Sequence, residues 1–476
     1  MDIRLLSQRA PCEWDIAQKG AMLVPVIIHA TESLVREMDD KVCEQAVNVA
    51  ALPGIVLACH VMPDAHWGYG FPIGSVAAFD AQRGGVVTPA SAGFDASCGV
   101  RYLHTGLVRD DIMPLQRQLA DLLFARIPVG PGSRSSIRLN DSLMHDMLTG
   151  GARWAVEHDW GVAADLERIE EHGRIAEGQP GHVSEQARLR QSEEMGTLGD
   201  GNHYLEVQEV AAIHDPAIAL AYGLKRGDIV VALHCGSRSL SYQVGTDYLR
   251  LMGQAATVDN RASADPELAC AAVKSELGQH YLGAMRAAAN CALANRQILT
   301  HLVRQVFAKL ISRARMPLLY DVSHNTCREE EHRIDGDLRH LFVHRRGATR
   351  ALGPGHPDLP QALRPSGQPV LVGGAMGEPS YVLAGLNQPD ALAFSSACHG
   401  AGRAISRPRP ARHSRGSLAI EDLAARGIVV RGPSGRSLVD EAPGSYKDVH
   451  AVVDAAEGAG LARKVARMEP LICVKG

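Results

Sequence analysis

Aromatic residues are scarce in this 476-residue chain, making up only 4% of it. No apolar run is long enough to suggest a membrane span: Met22 to Ile28 is short and carries Pro25. The opening Met1-Asp2-Ile3-Arg4-Leu5-Leu6 lacks the basic-then-apolar order of a leader, so a cytoplasmic protein with no membrane partner is expected. Ten cysteines include no CxxC pair, which resembles neither a zinc ribbon nor a disulfide framework. Most of them are expected to be small buried hydrophobes. Positive charge is not in excess either. With 49 Lys+Arg against 53 Asp+Glu the net charge is −4, which argues against wrapping nucleic acid over most of the surface but allows a local basic groove. There is no internal repeat, no low-complexity tract, no lysine-containing P-loop and no clean interdomain linker.

At 51.0 kDa the chain suits one large elaborated domain or two intimately packed ones. Apolar periodicity predicts a helix from Ser33 to Leu52, ended by Pro53-Gly54. Short β-like runs follow at Ser75–Phe79, Val100–Leu107, Ile229–Leu233, Leu318–Val322, Val370–Val372 and Ile428–Val430. The proline-free, alanine-rich stretch from Pro266 to Arg315 predicts two or more helices broken near Gly278 or Gly283. The charged stretch from Asp159 to Glu194 predicts a solvent-facing helical insertion. Strands interspersed with unequal helical blocks point to an α+β fold, a mixed β-sheet core with flanking helices.

Metal-ligand residue types recur where these elements meet turns. Asp95 and Cys98 share the turn Gly93-Phe94-Asp95-Ala96-Ser97-Cys98-Gly99, from which a carboxylate and a thiolate can address one cation, and the thiolate can bridge two. His203 follows Asp200-Gly201-Asn202, while His234 and His324 each follow a β-like run. Imidazole and thiolate suit Zn²⁺, and a carboxylate with imidazoles also admits Mn²⁺. The plainer alternatives are a buried Cys98 beside a turn-capping Asp95, and a simple hairpin at Asp200-Gly201. Asn202 and Glu206 have the polar edges a ligand pocket needs, and Arg238 suits a phosphate oxygen. The strand running into Gly373-Gly374-Ala375-Met376 offers backbone amides to a phosphate. His399, in Cys398-His399-Gly400-Ala401-Gly402-Arg403, sits where a bulky group can approach, and a neutral imidazole is a nucleophile toward phosphorus. A basic run follows it: Arg403, Arg407, Arg409, Arg412 and Arg415. The run from Arg328 to His332 reads as a solvated helix face.

These residues stand in ordered blocks from about Met62 to Gly476: MPDAHWGYGFPIGSVAAF, SAGFDASCGVR, GTLGDGNHYLEV, HCGSRS, ANRQ, DVSHN, VHRRGATRA, GGAMGEPSYVL, CHGAGR, APGSYKDV and LARKVARMEPLICVKG. In them the chain resembles the RtcB family of RNA ligases. The resemblance implies a single large catalytic domain over residues 1–476, with 1–61 less well matched and helical insertions at about 159–194 and 266–315. It implies two Mn²⁺ ions on Asp95, Cys98, His203, His234 and His324, with Cys98 bridging, and attack of His399 on the α-phosphorus of GTP. Asn202, Glu206, Asn325, Ser380, Tyr446 and Lys475, with the 373–376 loop and Gly400, Ala401 and Gly402, would surround the guanosine nucleotide. Arg238 and Arg403 would face RNA phosphates.

The implied reaction joins RNA 2′,3′-cyclic phosphate or 3′-phosphate ends to 5′-hydroxyl ends through a guanylylated histidine and an RNA-3′-pp-5′-G intermediate. An archease-like activator is a candidate partner. One departure is Ala375, where the family carries serine; a lost hydrogen bond there predicts GTP binding weaker by about 1 kcal/mol. Two other readings use the same residues: a dinuclear metallophosphoesterase acting on RNA ends, with water as nucleophile, and a non-catalytic RNA-binding paralogue.

Overall fold

The computed structural model describes residues 1–258, 265–388, 392–404, 414–433, 438, 441 and 443–476. Arg407, Arg409 and Arg412 of the basic run lie outside them. Two large mixed sheets organise the chain. The first runs, in spatial order, through Ser7–Ala10, Glu13–Ile16, Val26–Ile28, Ile55–His66, Ile73–Phe79, Asp337–Arg346 and Asn325–Ile334. The second runs through Leu318–Ser323, Gly99–Val108, Asp228–Cys235, Tyr204–Ile213, Ala462–Lys475, Ser380–Gly385 and Pro369–Val372. Neighbours along each path are antiparallel, except that Val26–Ile28 lies parallel to Ile55–His66. The short Val429–Arg431 joins Ala462–Lys475 in parallel. The fold is α+β, and every β-like run read from the sequence falls on a strand.

Register brings the candidate ligands together. Gly99 pairs with Cys235 and with Ser323, and Tyr204 pairs with His234 and with Lys475. Two strands of the second sheet therefore begin, and three end, along one edge. Cys98 and His203 immediately precede the first two, while His234, His324 and Lys475 lie at the ends of the other three.

Several expectations need correction. The segment from Pro266 to Arg315 holds one unbroken helix, Glu276–Leu310, preceded by a 3-10 turn at Pro266–Leu268 and a short strand at Ala271–Ala272. Gly278 and Gly283 do not break it. They let other segments press close: a Cβ on Gly278 would lie 2.2 Å from the Ala272 carbonyl oxygen. The predicted Ser33–Leu52 helix is two, Glu32–Glu37 and Asp40–Val49. They are separated by extended Met38, and Asp39 caps the second by accepting from Lys41 N. The charge run belongs to the strand Asn325–Ile334, not to a helix. Glu329 and Glu331 point to solvent, whereas Glu330 turns inward to meet the buried Arg345. The stretch 159–194 is a set of short helices and turns whose acids reach inside: Asp165 pairs with Arg304 of the long helix at 2.6 Å, and Glu170 accepts from Ser323 N at 2.9 Å. No helix among the described residues is long and apolar enough to cross a membrane.

Candidate active site

The strand-end ligands form two triads, Asp95–Cys98–His203 and Cys98–His234–His324. The ligand atoms of each lie within 4.8 Å of one another, and Cys98 is common to both. Its Sγ is 3.4 Å from His203 Nε2 and 3.2 Å from His234 Nε2. His203 Nε2 is 3.1 Å from Asp95 Oδ2, and the Nε2 atoms of His234 and His324 are 3.2 Å apart. Asp95 approaches so closely that a Cβ on Gly236 would lie 2.0 Å from its Oδ1, so this position requires glycine.

The imidazoles are pre-set. His203 Nδ1 lies 3.0 Å from the Leu198 carbonyl, and His234 Nδ1 lies 2.9 Å from that of Asn202. A carbonyl only accepts, so each Nδ1 carries a proton, and His234 Nε2 turns a lone pair inward. Burial would lower His203, but the Cys98 and Cys235 sulfurs and the Asp95 carboxylate hold it well above the ordinary histidine value, so without a cation its Nε2 donates to Asp95. Imidazole edges, a carboxylate and a sulfur thus converge on one place, a donor set that a divalent cation satisfies by displacing the protons on His203 and Cys98. Burial without such a cation pushes the Cys98 thiol up to about 12. Burial first, with neighbouring imidazoles adding to it, holds His234 and His324 well below the ordinary histidine value. A bound cation would reverse the preference of the thiol. The donor set therefore fits a metal pair.

The long helix holds these loops in place. The Arg296 guanidinium, wholly buried, donates to the carbonyls of Ser97 and Cys235 at 2.5 and 2.9 Å and to Ser323 Oγ at 3.3 Å. Each of those residues is the chain neighbour of a candidate ligand: Cys98, His234 and His324. Asn295 adds donors to the Thr197 and Gly236 carbonyls at 3.0 and 3.3 Å. Behind them Asp321 pairs with both Arg101 and Arg296, at 2.5 and 2.9 Å.

His399 stands next to this cluster, its ring centroid 4.7 Å from that of His324. Its Nδ1 is 2.7 Å from Asp64 Oδ2, and the same oxygen accepts from the backbone N–H groups of His399 and Gly400 at 3.0 and 3.2 Å. Burial alone would raise the Asp64 carboxyl, but His399 and the Lys447 ammonium hold it below its usual value. Lys447 Nζ donates to the carbonyls of Pro63 and Ala65 on either side of Asp64, and burial brings this lysine down to about 8. Gly402 completes the turn with φ +70°; a Cβ there would lie 1.9 Å from the Asp64 carbonyl oxygen. With Asp64 accepting at Nδ1, the Nε2 lone pair of His399 is free to act as a nucleophile.

A cavity of about 380 Å³ joins His399 to the triads. Its wall includes Asp95, Cys98, Asn202, His234, His324, Asn325, Gly373, Gly374, Gly400, Ala401, Gly402, Arg403, Tyr446 and Lys475. Glu206 and Ser380 stand behind this wall, each bonded to Gln208 Nε2, at 2.6 and 3.1 Å. Burial raises the Glu206 carboxyl. Asn325 ties loops together, donating to the Asp95 carbonyl at 3.2 Å and accepting from Gly347 N at 2.8 Å. Ala375 and Met376 are buried off the wall, Met376 in a small apolar cluster with Leu423, Ile428, Leu438 and Cys473. Arg238 also lies off it, donating to Thr197 Oγ1 at 3.3 Å with its Nη1 3.3 Å from His203 Nδ1.

Three contributors were missed from the sequence. Asp64 lies within the MPDAHWGYG block and Arg296 within ANRQ, while Glu441 immediately precedes APGSYKDV. Glu441, nearly fully buried, takes Lys475 Nζ at 3.1 Å, the Arg403 guanidinium and the Tyr446 hydroxyl on one carboxylate.

The family model described as tRNA-splicing ligase RtcB matches residues 45–476. The chain belongs to the RtcB family. Curated relatives agree over nearly its full length. It is 46% identical over 469 residues to the tRNA-splicing ligase RtcB of Thermococcus kodakarensis, covering 97% of each chain. It is 43% identical over 478 residues to that of Archaeoglobus fulgidus, covering 99% of each. The RNA-splicing ligase RtcB of Mycobacterium bovis is 50% identical over 434 residues, covering 91% of this chain and 100% of its own.

Proposed function

We propose that this chain is a GTP- and Mn²⁺-dependent RNA ligase. It would join 2′,3′-cyclic phosphate or 3′-phosphate ends to 5′-hydroxyl ends in the cytoplasm, in tRNA splicing or RNA repair, as one catalytic unit over residues 1–476. The observation that carries the reading is the Asp64-oriented His399 beside two ligand triads that share Cys98. Membership of the RtcB family, with relatives named as RNA-splicing ligases, supports the reaction class. Asp95, Cys98, His203, His234 and His324 would hold the two ions, whose contribution is to polarise phosphoryl oxygens and stabilise charge on the attacking and leaving oxygens.

His399 Nε2 would attack the α-phosphorus of GTP, forming the N–P bond as pyrophosphate leaves. Asp64 keeps the Nδ1 proton in place and stabilises the cationic ring that forms. Water first opens a 2′,3′-cyclic phosphate to a 3′-phosphate with a free 2′-hydroxyl, and transfer of GMP to that 3′-phosphate frees His399 and gives RNA-3′-pp-5′-G. A 5′-hydroxyl then attacks the RNA phosphorus and expels GMP. A phosphomonoester is a poor electrophile until it carries such a leaving group. Around the nucleotide, Lys475, Tyr446, Asn202, Gly373 and Gly374 would form the wall, with Glu206 and Ser380 behind it; the Gly373 and Gly374 N–H groups are held by the His399 carbonyl and Ser380 Oγ. Arg403 would meet a phosphate from the same wall, whereas Arg238, proposed for RNA phosphate, stands off the wall beside His203. An archease-like activator remains part of the proposal as a partner. A water-nucleophile phosphoesterase would leave the Asp64–His399 pair without a task, and a silent RNA binder would need neither triad.

The test is incubation of the purified protein with α-³²P-labelled GTP and Mn²⁺, followed by denaturing electrophoresis, beside a His399→Ala control. Label on the wild type and none on the control is expected. No label on either, with metal content verified, overturns the ligase reading.

A further inference from the structure

Although aromatic residues are only 4% of the chain, two of the three exposed ones among the described residues flank the same ring, Phe94. Trp67, Tyr69 and Tyr242 are 36, 39 and 57% exposed. Tyr69 meets Phe94 edge-on with ring centroids 5.1 Å apart, and Tyr242 meets Phe94 at 5.8 Å. Trp67 is two residues from Tyr69. Phe94 belongs to the cavity wall and is the chain neighbour of Asp95. Arg346 shares that wall and donates from Nη1 to the Tyr69 carbonyl at 2.5 Å and to that of Ala90.

Leaving aromatic surface in water costs free energy in proportion to its area, and here the exposed Tyr69 and Tyr242 both pack on Phe94, a residue of the candidate active-site wall. Flat rings beside a guanidinium suit a planar base on a phosphate chain, and stacking of this kind tolerates any sequence because every base has a π-face. We propose that Tyr69, Phe94 and Tyr242 form a stacking platform for the terminal nucleobase of an RNA end whose phosphate or hydroxyl enters the cavity, with Arg346 placed to meet its backbone. The occupant is RNA and not a protein segment because the platform is continuous with the wall that holds the triads and His399. The proposal rests on the ligase reading above and names the part of the RNA that the site grips.

The test uses the full chain with Mn²⁺ and short oligoribonucleotides carrying 2-aminopurine at the terminal position, in one arm at a 5′-hydroxyl end and in the other at a 3′-phosphate end. Quenching of the fluorophore on binding is expected in at least one arm, which identifies the end that is gripped. Tyr69→Ala with Tyr242→Ala should abolish the quenching and weaken binding roughly tenfold or more, whereas the paired phenylalanine variants keep both, because the ring and not the hydroxyl does the stacking. A second measurement needs no variant: replacing the terminal base by an abasic residue should weaken wild-type binding by a similar factor. Binding without quenching in either arm, or an abasic end bound as tightly as a complete one, overturns the proposal; loss of quenching together with the abasic penalty upholds it. Failure of the ligase reading is distinguishable, because it appears as absent GTP label in the wild type without RNA, while stacking is read from binding alone.

Discussion

Two charge-rich clusters lie back to back in the interior, and they differ in how their polar groups are satisfied. Behind the site, Asp321 is gripped by Arg101 and Arg296, whose remaining N–H groups reach Gln297, Thr300, Ser97, Cys235 and Ser323. In front, the Nε2 atoms of His203 and His234, the Asp95 carboxylate and the Cys98 sulfur meet one another at 3.1–3.4 Å, sharing protons that a bound cation would displace. A buried polar network that satisfies itself makes a rigid scaffold; one closed by displaceable protons is suited to a cation. The contrast separates positioning residues from liganding ones although both sets are buried.

The comparison can be broken most forcefully at Cys98. Cys98→Ala removes the one ligand common to both triads, so bound metal should fall by more than one ion per chain, and GTP labelling with it, by elemental analysis and autoradiography. Retention of a full metal complement would contradict the shared-ligand arrangement. Next in size is Asp64→Asn, which leaves the metal cluster intact but favours the wrong tautomer of His399. Labelling should drop by roughly 10³-fold or more with metal content unchanged.

Arg296→Lys keeps a charge for Asp321 while losing the fork to Ser97, Cys235 and Ser323. Metal affinity should weaken by about 10–100-fold, as when other supporting partners of metal ligands are removed. Arg296→Ala should in addition destabilise the fold by about 3–5 kcal/mol in denaturant titrations, since it leaves part of a buried charge cluster unpaired.

Glu441 gives a pH signature. Its carboxyl is buried, yet Lys475 and Arg403 hold it below its ordinary value of 4.5. The stabilisation it contributes is therefore complete above about pH 4.5 and lost as pH falls through the lowered folded-state value. Glu441→Gln should be less stable than the wild type at neutral pH, with the gap closing in acid. The smallest effect is expected at Ala375. Because this residue is buried off the cavity wall, Ala375→Ser should change GTP affinity by less than the roughly 1 kcal/mol of a direct hydrogen bond.

Strands and helices were not equally legible. The strand runs were readable because short continuous apolar runs with bounding turns are local signals, as in Asp228–Cys235 and Leu318–Ser323, buried almost throughout. The Glu276–Leu310 helix was not, since glycine as a breaker and glycine as a point of close packing look alike until Ala272 is seen against Gly278. The charge run from Arg328 failed for a related reason: Glu330 is buried only because Arg345 lies on the neighbouring strand. His399 drew notice through its glycine-rich turn, but its partner Asp64 is 335 positions away in the chain.

The sequence by itself determined the residue types and the turn chemistry at Asp95, Cys98, His203, His234, His324 and His399, along with the family blocks that order them. Tertiary structure alone decided that Asp64 meets His399 and that Arg296 registers three loops, and it put the Cys98 bridge that the family blocks imply into two triads. Turn and strand preferences act over a few residues, whereas those contacts depend on antiparallel register and on a buried helix that brings distant segments within hydrogen-bond reach.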